Sequence, residues 1–469
     1  MKERNEAALV PQEEKDRQQG FMDEVASLGG GKYEIVTYGC QMNVRDSQTL
    51  AGLLEGMGYR PAARREEADL ILFNTCCVRD NAERRVFGNV GHLQAQKKAN
   101  PRLVVGVCGC MMQQAGVPEK LLKSSPFVDL VFGTGNLYKL PELLLSVLKE
   151  RRRRVLVDQN PMAPIAEGLP VSRHGGVQAF VNIMFGCDNF CSYCIVPYVR
   201  GRERSRAPEQ ILAEVEDLAR QGVQEITLLG QNVNSYRWSD GTDFPTLLRR
   251  LDGVVPRLRF MTSHPKDLSD ALIETMASGR SICKQLHLPV QSGSNAILQS
   301  MNRRYTAERY LELVRKLRAA MPDIGLSTDI IVGFPGETDA DFEATMELNR
   351  LVRFDSAYTF LYSKRQGTKA AAMENQVPEE TMKERIYRLI AQQGAITQEK
   401  LRSMIGRELE VLVEGPSTRD ENAYMGRTDA GITVNIEAQG LRPGDFALVS
   451  IASAGMNTLR GTVKCVRSR

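Results

Sequence analysis

The sequence predicts an α/β protein in three structured parts: an amino-terminal open α/β sheet, a central partial (βα)6 barrel and a small carboxy-terminal all-β barrel of the oligonucleotide-binding kind. Short apolar runs alternate with amphipathic stretches over residues 32–150, and the same rhythm repeats over residues 178–375. After residue 405, apolar and polar residues alternate between glycines and prolines. Alternating strands and helices favour parallel sheets, whereas short alternating strands favour small barrels.

The length and composition favour a multi-domain protein of the cytoplasm. The chain has 469 residues, of which 42% are hydrophobic, and this length corresponds to about three domains. No apolar run approaches the ~18 residues of a membrane span, and the charged residues 1–6 lack the apolar region of an export signal. The 10 cysteines lie mostly in local groups, which is typical of metal ligands in a reducing compartment. We expect the isolated Cys283 and Cys465 to be buried small hydrophobes.

The amino-terminal part is divided by composition. Residues 1–31 are polar, charged and end in three glycines, which predicts a loose leader. Residues 32–150 hold four short apolar runs, typical of parallel strands buried on both faces. These runs are residues 33–38, 70–73, 103–107 and 128–132. Residues 151–177 begin with four arginines and are rich in proline and glycine, which predicts a linker.

Cysteines follow three of these predicted strands. In a parallel sheet the carboxyl ends of the strands share one edge, and ligand sites form just outside it. We therefore expect Cys40, Cys76 and Cys110 to converge and to hold a metal cluster. Cys77 and Cys108 also lie at these ends, and Cys108 remains an alternative to Cys110. The other reading is three unrelated core cysteines.

A second group of cysteines opens the central part. An apolar run at residues 179–185 is followed by Cys187, Cys191 and Cys194 at CxxxCxxC spacing. A cubane cluster takes one ligand per iron, so three thiolates leave the fourth iron of a [4Fe–4S] cluster open for chemistry. Structural zinc sites and ferredoxin-type carriers use a fourth ligand, and no Cys or His stands nearby to supply it.

The predicted barrel and the β domain complete the chain. The barrel spans residues 178–404, including a charged connecting helix at 379–403, and the β domain spans residues 405–469. Active faces of α/β barrels lie at the carboxyl ends of the strands. Polar or small residues stand at those ends and predict a ligand pocket, although both histidines among them are also compatible with satisfied core positions. They include Gln231, Asn232, Ser263, His264, His287 and Gly333.

The net charge of +4 is mild, but basic residues are grouped. Such groups favour a polyanionic partner such as RNA. The alternative for the β domain is a purely structural cap. The groups are residues 151–154, the alternating Arg200, Arg202, Arg204 and Arg206, and Arg427, Arg442, Arg460, Lys464 and Arg467.

Together these motifs resemble known families. The CxxxCxxC motif with Tyr193 resembles the radical S-adenosylmethionine (SAM) superfamily. The order of three parts over residues 32 to about 467 resembles the methylthiotransferase family, and the β domain is similar to a TRAM domain. Residues 429–431 depart from the family pattern. The segments that carry the resemblance are 37–43 (TYGCQMN), 74–83 (NTCCVRDNAE), 109–113 (GCMMQ), 286–294 (LHLPVQSGS) and 362–368.

This resemblance implies two [4Fe–4S] clusters and SAM as cofactors. Cys187, Cys191 and Cys194 would hold the SAM-coordinating cluster, and Cys40, Cys76 and Cys110 a second cluster that carries the sulfur to be inserted. The implied SAM contacts are Gln231, Asn232, Asp329 and Gly333.

The closest branch of the family adds a methylthio group to C2 of N6-dimethylallyladenosine at position 37, in the tRNA anticodon loop. The resemblance also implies an electron donor such as flavodoxin or ferredoxin and a carrier of sulfur or clusters. The alternatives are another tRNA adenosine, a ribosomal protein aspartate, or a non-catalytic protein that binds zinc and RNA.

Overall fold

The computed structural model describes residues 8–77, 80–158, 160, 162–173, 176–417, 420 and 423–467, without the side chains of residues 80–84. Some parts of the sequence predictions lie outside these residues. They are the start of the leader, Val78 and Arg79, the side chains of residues 81–83 in the second family motif, and Gly175. The chain divides into two compact units. The first is Met1–His174, Met184–Asp188 and Ile195–Ser205; the second is Gly175–Ile183, Asn189–Cys194 and Arg206–Arg469.

The first unit is built on a six-stranded parallel sheet in the order β2-β1-β3-β4-β5-β6, which confirms the open α/β fold. Its strands are β1 (Gly31–Thr37), β2 (Tyr59–Pro61), β3 (Leu70–Thr75), β4 (Val104–Gly109), β5 (Leu130–Phe132) and β6 (Arg154–Leu156). Its longer helices are α1 (Gln12–Ser27), α2 (Gln41–Gly56), α3 (Asp80–Ala99), α4 (Val117–Ser124) and α5 (Leu140–Glu150).

Both faces of this sheet are covered by helices. Leu72 packs in a hydrophobic cluster with residues of α1, α2 and α5, whereas the next residue, Phe73, packs in a second cluster with residues of α3 and α4. Successive side chains of a strand point to opposite faces. A strand covered on both faces is therefore apolar without alternation, and this is why β3 reads as a continuous apolar run.

The leader is not loose over residues 12–27, where the sequence-based expectation is wrong. These residues form α1, which buries Met22 and Val25. Gln18 donates to the Glu142 carboxylate of α5 at 3.0 Å, and Glu24 pairs with Lys149. The few apolar residues of α1 are scattered among charges, so a compositional reading misses them.

The predicted linker also carries structure. Its residues 154–156 are β6, which pairs in parallel with β5 and extends the sheet. Ile165 forms a parallel bridge with Leu9, and the carbonyl group of Pro170 lies so close to Gly52 that a Cβ atom there would be 2.5 Å from it. Residues 154–156, 165 and 170 are therefore packed parts of the first unit.

A short antiparallel pair completes the first unit. Its strands are β8 (Met184–Phe185) and β9 (Arg204–Ser205), with the four-residue helix α6 (Val196–Val199) between them. In sequence, the CxxxCxxC motif lies between β8 and α6.

The second unit contains the partial barrel. Two three-stranded parallel sheets, in the orders β11-β10-β7 and β12-β13-β14, are linked through a parallel bridge between Leu258 and Ile282. The strands are β7 (Gln178–Asn182), β10 (Glu225–Leu229), β11 (Arg257–Phe260), β12 (Gln285–His287), β13 (Gly325–Val332) and β14 (Ser356–Leu361). The helices are α7 (Pro208–Arg220), α8 (Phe244–Leu251), α9 (Asp270–Ser278), α10 (Asn295–Ser300), α11 (Ala307–Ala320), α12 (Asp339–Val352) and α13 (Glu379–Arg402).

The carboxy-terminal strands form a closed five-stranded barrel in the order β15-β16-β17-β19-β18, which confirms the predicted small β barrel. The strands are β15 (Glu408–Pro416), β16 (Ala423–Thr428), β17 (Thr433–Glu437), β18 (Phe446–Ala454) and β19 (Leu459–Arg467). Cys465 on β19 is exposed, contrary to expectation, whereas Cys283 is buried as expected. Within the described residues, no helix is both long and apolar enough to cross a membrane.

The turn between β16 and β17 closes the amino-terminal end of the partial barrel. Arg259 of β11 donates to the carbonyl oxygens of Thr428 and Asp429, each at 2.7 Å. The Asp429 carboxylate accepts from the backbone N–H of Lys284 at 2.8 Å, and a Cβ atom on Gly431 would lie 2.4 Å from the Gln285 side chain. Residues 429–431, which depart from the family pattern, are therefore shaped by contact with the barrel.

The buried ion pair between Arg259 and Glu225, next to this turn, should make a large contribution to the free energy of unfolding. Arg259 Nε donates to Glu225 Oε2 at 2.8 Å, and the two side chains are only 7% and 3% exposed. Removing one partner of a buried pair leaves an uncompensated charge. We expect Arg259→Met to lower the free energy of unfolding by about 3–5 kcal/mol, measured by urea unfolding followed by circular dichroism.

The matched control is Arg220→Met, which removes an exposed arginine paired with Asp217 on the same helix. Its expected effect stays within about 0.5 kcal/mol. Equal stability of the two variants would contradict a closing role for the turn.

Candidate functional site

The first group of predicted site cysteines lies at one edge of the amino-terminal sheet. β1, β3 and β4 are neighbours in this sheet, and Cys40, Cys76 and Cys110 follow their carboxyl ends. Cys40 is exposed at the start of α2, whereas Cys76 and Cys110 are buried. The parallel register of the strands aligns these ends.

Two glycines bring the strand ends into close approach. Gly39 has φ +121°, and a Cβ atom on it would lie 2.4 Å from the Cβ atom of Cys76. Gly109 has φ +97°, and a Cβ atom there would lie 2.5 Å from Asn74 Oδ1. Both positions need the backbone freedom and small size of glycine, so Cys40 and Cys110 are each placed by the glycine before them.

A reciprocal pair of amides supports this edge. Asn43 Nδ2 donates to Asn74 Oδ1 at 3.3 Å and to the Thr75 carbonyl oxygen at 3.1 Å. Asn74 Nδ2 donates in return to the Asn43 carbonyl oxygen at 2.8 Å. Both side chains are fully buried. The pair therefore fixes the start of α2, with Cys40, against the end of β3, with Cys76.

The environments of Cys108 and Cys110 differ. Cys108 packs in the hydrophobic core of the unit, and burial raises the pKa of its thiol well above the usual value. A hydrogen bond from Cys77, aided by the Arg200 guanidinium, lowers the pKa of Cys110 to about 7. Since the thiolate is the form that binds metals, this difference favours Cys110.

Arg200 is a site residue that sequence reasoning missed. Its Nε donates to Cys110 Sγ at 3.1 Å, and its Nη2 donates to Asp46 Oδ2 at 2.8 Å. The sequence groups it with arginines expected to bind RNA. The structure instead buries the side chains of Arg200, Arg204 and Arg206 and pairs Arg202 with Asp188 at 2.7 Å. This alternating group is therefore not an open basic surface.

Of the second group of cysteines, Cys187 belongs to the first unit, whereas Cys191 and Cys194 belong to the second. In the first unit, the N–H of Cys187 donates to the Gly201 carbonyl oxygen at 3.2 Å. The preceding Gly186 has φ +75°, and a Cβ atom on it would lie 1.9 Å from the Arg202 carbonyl oxygen. Only glycine fits there, so Cys187 is placed in the same way as Cys40 and Cys110.

In the second unit, Cys191 and Cys194 lie in a tight loop in which the N–H of Cys194 donates to the Cys191 carbonyl oxygen at 2.9 Å. Asn302 Nδ2 donates to the carbonyl oxygens of Asn189 and Phe190, each at 3.1 Å. Arg303 is buried, lies 3.5 Å from Cys191 Sγ and stacks on the Tyr305 ring. This arginine was also missed, because it is 112 residues from Cys191 in sequence.

The carboxyl ends of the barrel strands carry buried polar atoms without a partner in the described part of the protein. These atoms are Asn182 Oδ1, Ser263 Oγ and His264 Nε2. Buried polar atoms are usually hydrogen-bonded, so the set fits a polar ligand such as the amino acid and ribose groups of SAM. Asn182 was absent from the predicted contacts.

His264 and His287 have different surroundings. His287 is satisfied, with Nδ1 3.0 Å from Ser327 Oγ and Nε2 3.5 Å from Asp329 Oδ2. His264 Nδ1 accepts from the Lys266 N–H at 3.2 Å, and burial, followed by the charge of Arg303, lowers the pKa of its imidazole. His264 is therefore neutral and carries its proton on Nε2, ready to donate to a ligand.

The four predicted SAM contacts are placed differently. Asn232 uses its amide within the protein, accepting from the His264 N–H at 3.0 Å and donating to Asp267 at 2.7 Å. The Gly333 N–H donates to Glu337 Oε2 at 3.1 Å, and a Cβ atom there would collide with Met382. Both Gln231 and Asp329 are half-buried; Gln231 lies in the bend after β10, whereas Asp329 lies within β13. Asn232 and Gly333 thus shape the loops, and Gln231 and Asp329 stay predicted contacts.

Family comparisons match the three parts of the chain. Residues 181–348 match the radical SAM superfamily, residues 32–133 match the uncharacterized protein family UPF0004, and residues 402–464 match the TRAM domain. No three His, Cys, Asp or Glu side chains lie close enough to hold one metal ion in the described residues. The alternative of a non-catalytic zinc protein is wrong, because the barrel is a radical SAM domain.

A solved structure shares the fold. The radical S-adenosylmethionine methyltransferase TsrM from Kitasatospora setae aligns with a TM-score of 0.54 at 17% identity, covering 73% of this chain and 77% of that one.

Two curated relatives are far more similar, and both are named tRNA-2-methylthio-N(6)-dimethylallyladenosine synthase. The protein from Caldicellulosiruptor saccharolyticus is 52% identical over 92% of each chain. The protein from Alkaliphilus oremlandii is 49% identical over 99% of each chain. At this identity and coverage, the chain belongs to the tRNA-2-methylthio-N(6)-dimethylallyladenosine synthase family of radical SAM methylthiotransferases.

Proposed function

We propose that this protein adds a methylthio group to C2 of N6-dimethylallyladenosine at position 37 of tRNA. One observation carries the proposal. Cys40, Cys76 and Cys110 share one sheet edge in a chain that also holds a CxxxCxxC motif. A radical enzyme that only abstracts hydrogen needs one cysteine set, whereas sulfur insertion needs a place for sulfur as well. The names of relatives that match almost the whole chain support the same substrate.

Membership of the radical SAM superfamily brings SAM and [4Fe–4S] clusters as cofactors. Cys187, Cys191 and Cys194 would hold one cluster and leave an iron for SAM, and Cys40, Cys76 and Cys110 would hold the other. When bound, these groups supply one-electron cleavage of SAM and the sulfur to be inserted, which an inert aromatic C–H bond requires.

The chain's own residues bind and orient SAM. Asn182 Oδ1 and Ser263 Oγ offer polar atoms to it, and the Nε2–H of His264 donates to it. Gln231, which follows β10, and Asp329, which lies within β13, remain proposed contacts. Arg303 places its positively charged guanidinium 3.5 Å from Cys191 Sγ. The Asn302 amide holds the cysteine loop in place.

The tRNA partner would present an unpaired loop base, which can be splayed out of its stack. Exposed basic side chains would grip phosphates without reading sequence. Within the β domain, Arg442 and Lys464 are exposed, whereas Arg427 pairs with Glu414 at 3.1 Å and Arg460 with Asp420 at 2.7 Å. We assign the phosphate contacts of this domain to Arg442 and Lys464.

The reaction also needs an electron and a supply of sulfur. We propose a small one-electron donor such as flavodoxin or ferredoxin, and a carrier that replenishes sulfur or clusters. Both fit a reducing compartment, and the cytoplasm is the proposed location.

The decisive experiment is mass analysis of tRNA nucleosides from a strain that lacks this gene. We expect complete loss of 2-methylthio-N6-dimethylallyladenosine and accumulation of N6-dimethylallyladenosine, both reversed by the wild-type gene. Loss of another methylthiolated adenosine would redirect the proposal to that nucleoside. Unchanged tRNA, with a missing methylthio group on a ribosomal protein aspartate, would contradict it.

A further inference from the structure

Arg200 is a buried arginine whose guanidinium is divided between two partners. Nη2 donates to Asp46 and Nε to Cys110 Sγ, and the Arg200 and Asp46 side chains are 7% and 8% exposed. Arginine commonly pairs with one carboxylate through two parallel hydrogen bonds. In this protein only one hydrogen bond goes to the carboxylate and the other goes to the Cys110 thiol, which a purely structural ion pair would not require.

The position of Arg200 is also fixed through its backbone. Its carbonyl oxygen accepts from Arg204 Nη2 at 3.0 Å, and the carbonyl oxygen of the preceding Val199 accepts from Thr134 Oγ1 at 3.2 Å. Asp46, Cys110 and Cys40 all act electrostatically on the guanidinium.

Hydrogen bonds to ligand sulfurs, local charge and burial set the reduction potential of iron–sulfur clusters. A donor that is fixed and charged stabilises the more negative, reduced form. An arginine in this position therefore has a physical effect on a cluster beyond holding the protein together.

We propose that Arg200 is a positioning residue that donates to the Cys110 thiolate and makes the reduction potential of the cluster held by Cys40, Cys76 and Cys110 less negative. The inference rests on the proposed function, which assigns these three cysteines to a cluster. Asp46 has the opposite effect on the potential, because its negatively charged carboxylate accepts a hydrogen bond from the same guanidinium. Removing the two side chains should shift the potential in opposite directions.

The test uses full-length protein carrying Cys191→Ala, so that only this cluster contributes. Arg200→Lys and Arg200→Met are compared with the parent by redox titration followed by electron paramagnetic resonance, together with iron content. We expect Arg200→Met to disfavour reduction at least tenfold, which is 59 mV for one electron, and Arg200→Lys to shift the potential less. Asp46→Asn should favour reduction.

The control is Arg220→Met, an exposed arginine on α7, which should leave the potential unchanged. Full iron content with the parent potential in both Arg200 variants would overturn this inference alone. If Arg200→Met binds no iron, the signs of the Arg200→Lys and Asp46→Asn shifts decide, and shifts in the same direction overturn it. Absence of iron from the Cys191→Ala parent would overturn the cluster assignment as well.

Discussion

Replacing Cys191 by alanine is expected to abolish the cleavage of SAM to 5′-deoxyadenosine. Cys191 is one of the three thiols at CxxxCxxC spacing that are proposed to hold the SAM-coordinating cluster, and loss of one ligand should remove that cluster. The amino-terminal cysteines lie on a separate sheet edge, so iron bound there should be retained. The measurement is anaerobic incubation with SAM and dithionite, with 5′-deoxyadenosine quantified by chromatography and iron by colorimetric assay.

The matched control is Cys283→Ala, which removes a buried cysteine on the amino-terminal side of β12. It should keep both iron content and 5′-deoxyadenosine formation. If Cys191→Ala continued to produce 5′-deoxyadenosine, the assignment of this motif to SAM cleavage would be wrong.

Cys110→Ala should separate SAM cleavage from product formation. The cysteines proposed to hold the SAM-coordinating cluster are untouched, so 5′-deoxyadenosine should still be made. The second proposed cluster loses a ligand, so no methylthio product should form. Mass analysis of tRNA nucleosides after single-turnover reactions gives both results from one sample.

Cys108→Ala is the control for Cys110→Ala, because the two cysteines are two positions apart on the same chain segment. Cys108 packs in the apolar core, so its replacement should cost some stability and leave product formation intact. The reverse outcome, with product lost in Cys108→Ala and kept in Cys110→Ala, would make Cys108 the ligand.

Much of the architecture can be predicted from the sequence, because local hydrophobic patterns determine where the helices and strands form. Proline at the first position of α7 and the amphipathic stretch behind it predict a helix at residues 208–220, where the structure has it. The arrangement of Cys40, Cys76 and Cys110 was also predictable, since consecutive strand–helix units in a parallel sheet place all carboxyl ends on one side. These features can be predicted because the residues that determine them are close together in the sequence.

Other features depend on partners far away in sequence. Arg200 lies 90 residues from Cys110 and 154 from Asp46, and nothing near it in sequence distinguishes a buried guanidinium from a solvated one. The sequence alone does not predict the strand β16, because residues 423–428 contain only a short, mixed run with Gly426 in it. That glycine faces β15, where a Cβ atom would lie 2.4 Å from the Leu412 carbonyl oxygen.

The turn that closes the partial barrel limits how this protein can be recombined with its relatives. Arg257 donates to the carbonyl oxygens of Arg427 and Glu410, and Arg259 to those of Thr428 and Asp429. A chimera that exchanged the β domain alone would present these arginines with a foreign backbone. Functional chimeras should therefore require the turn and the amino-terminal ends of the barrel strands to be exchanged together, as one block.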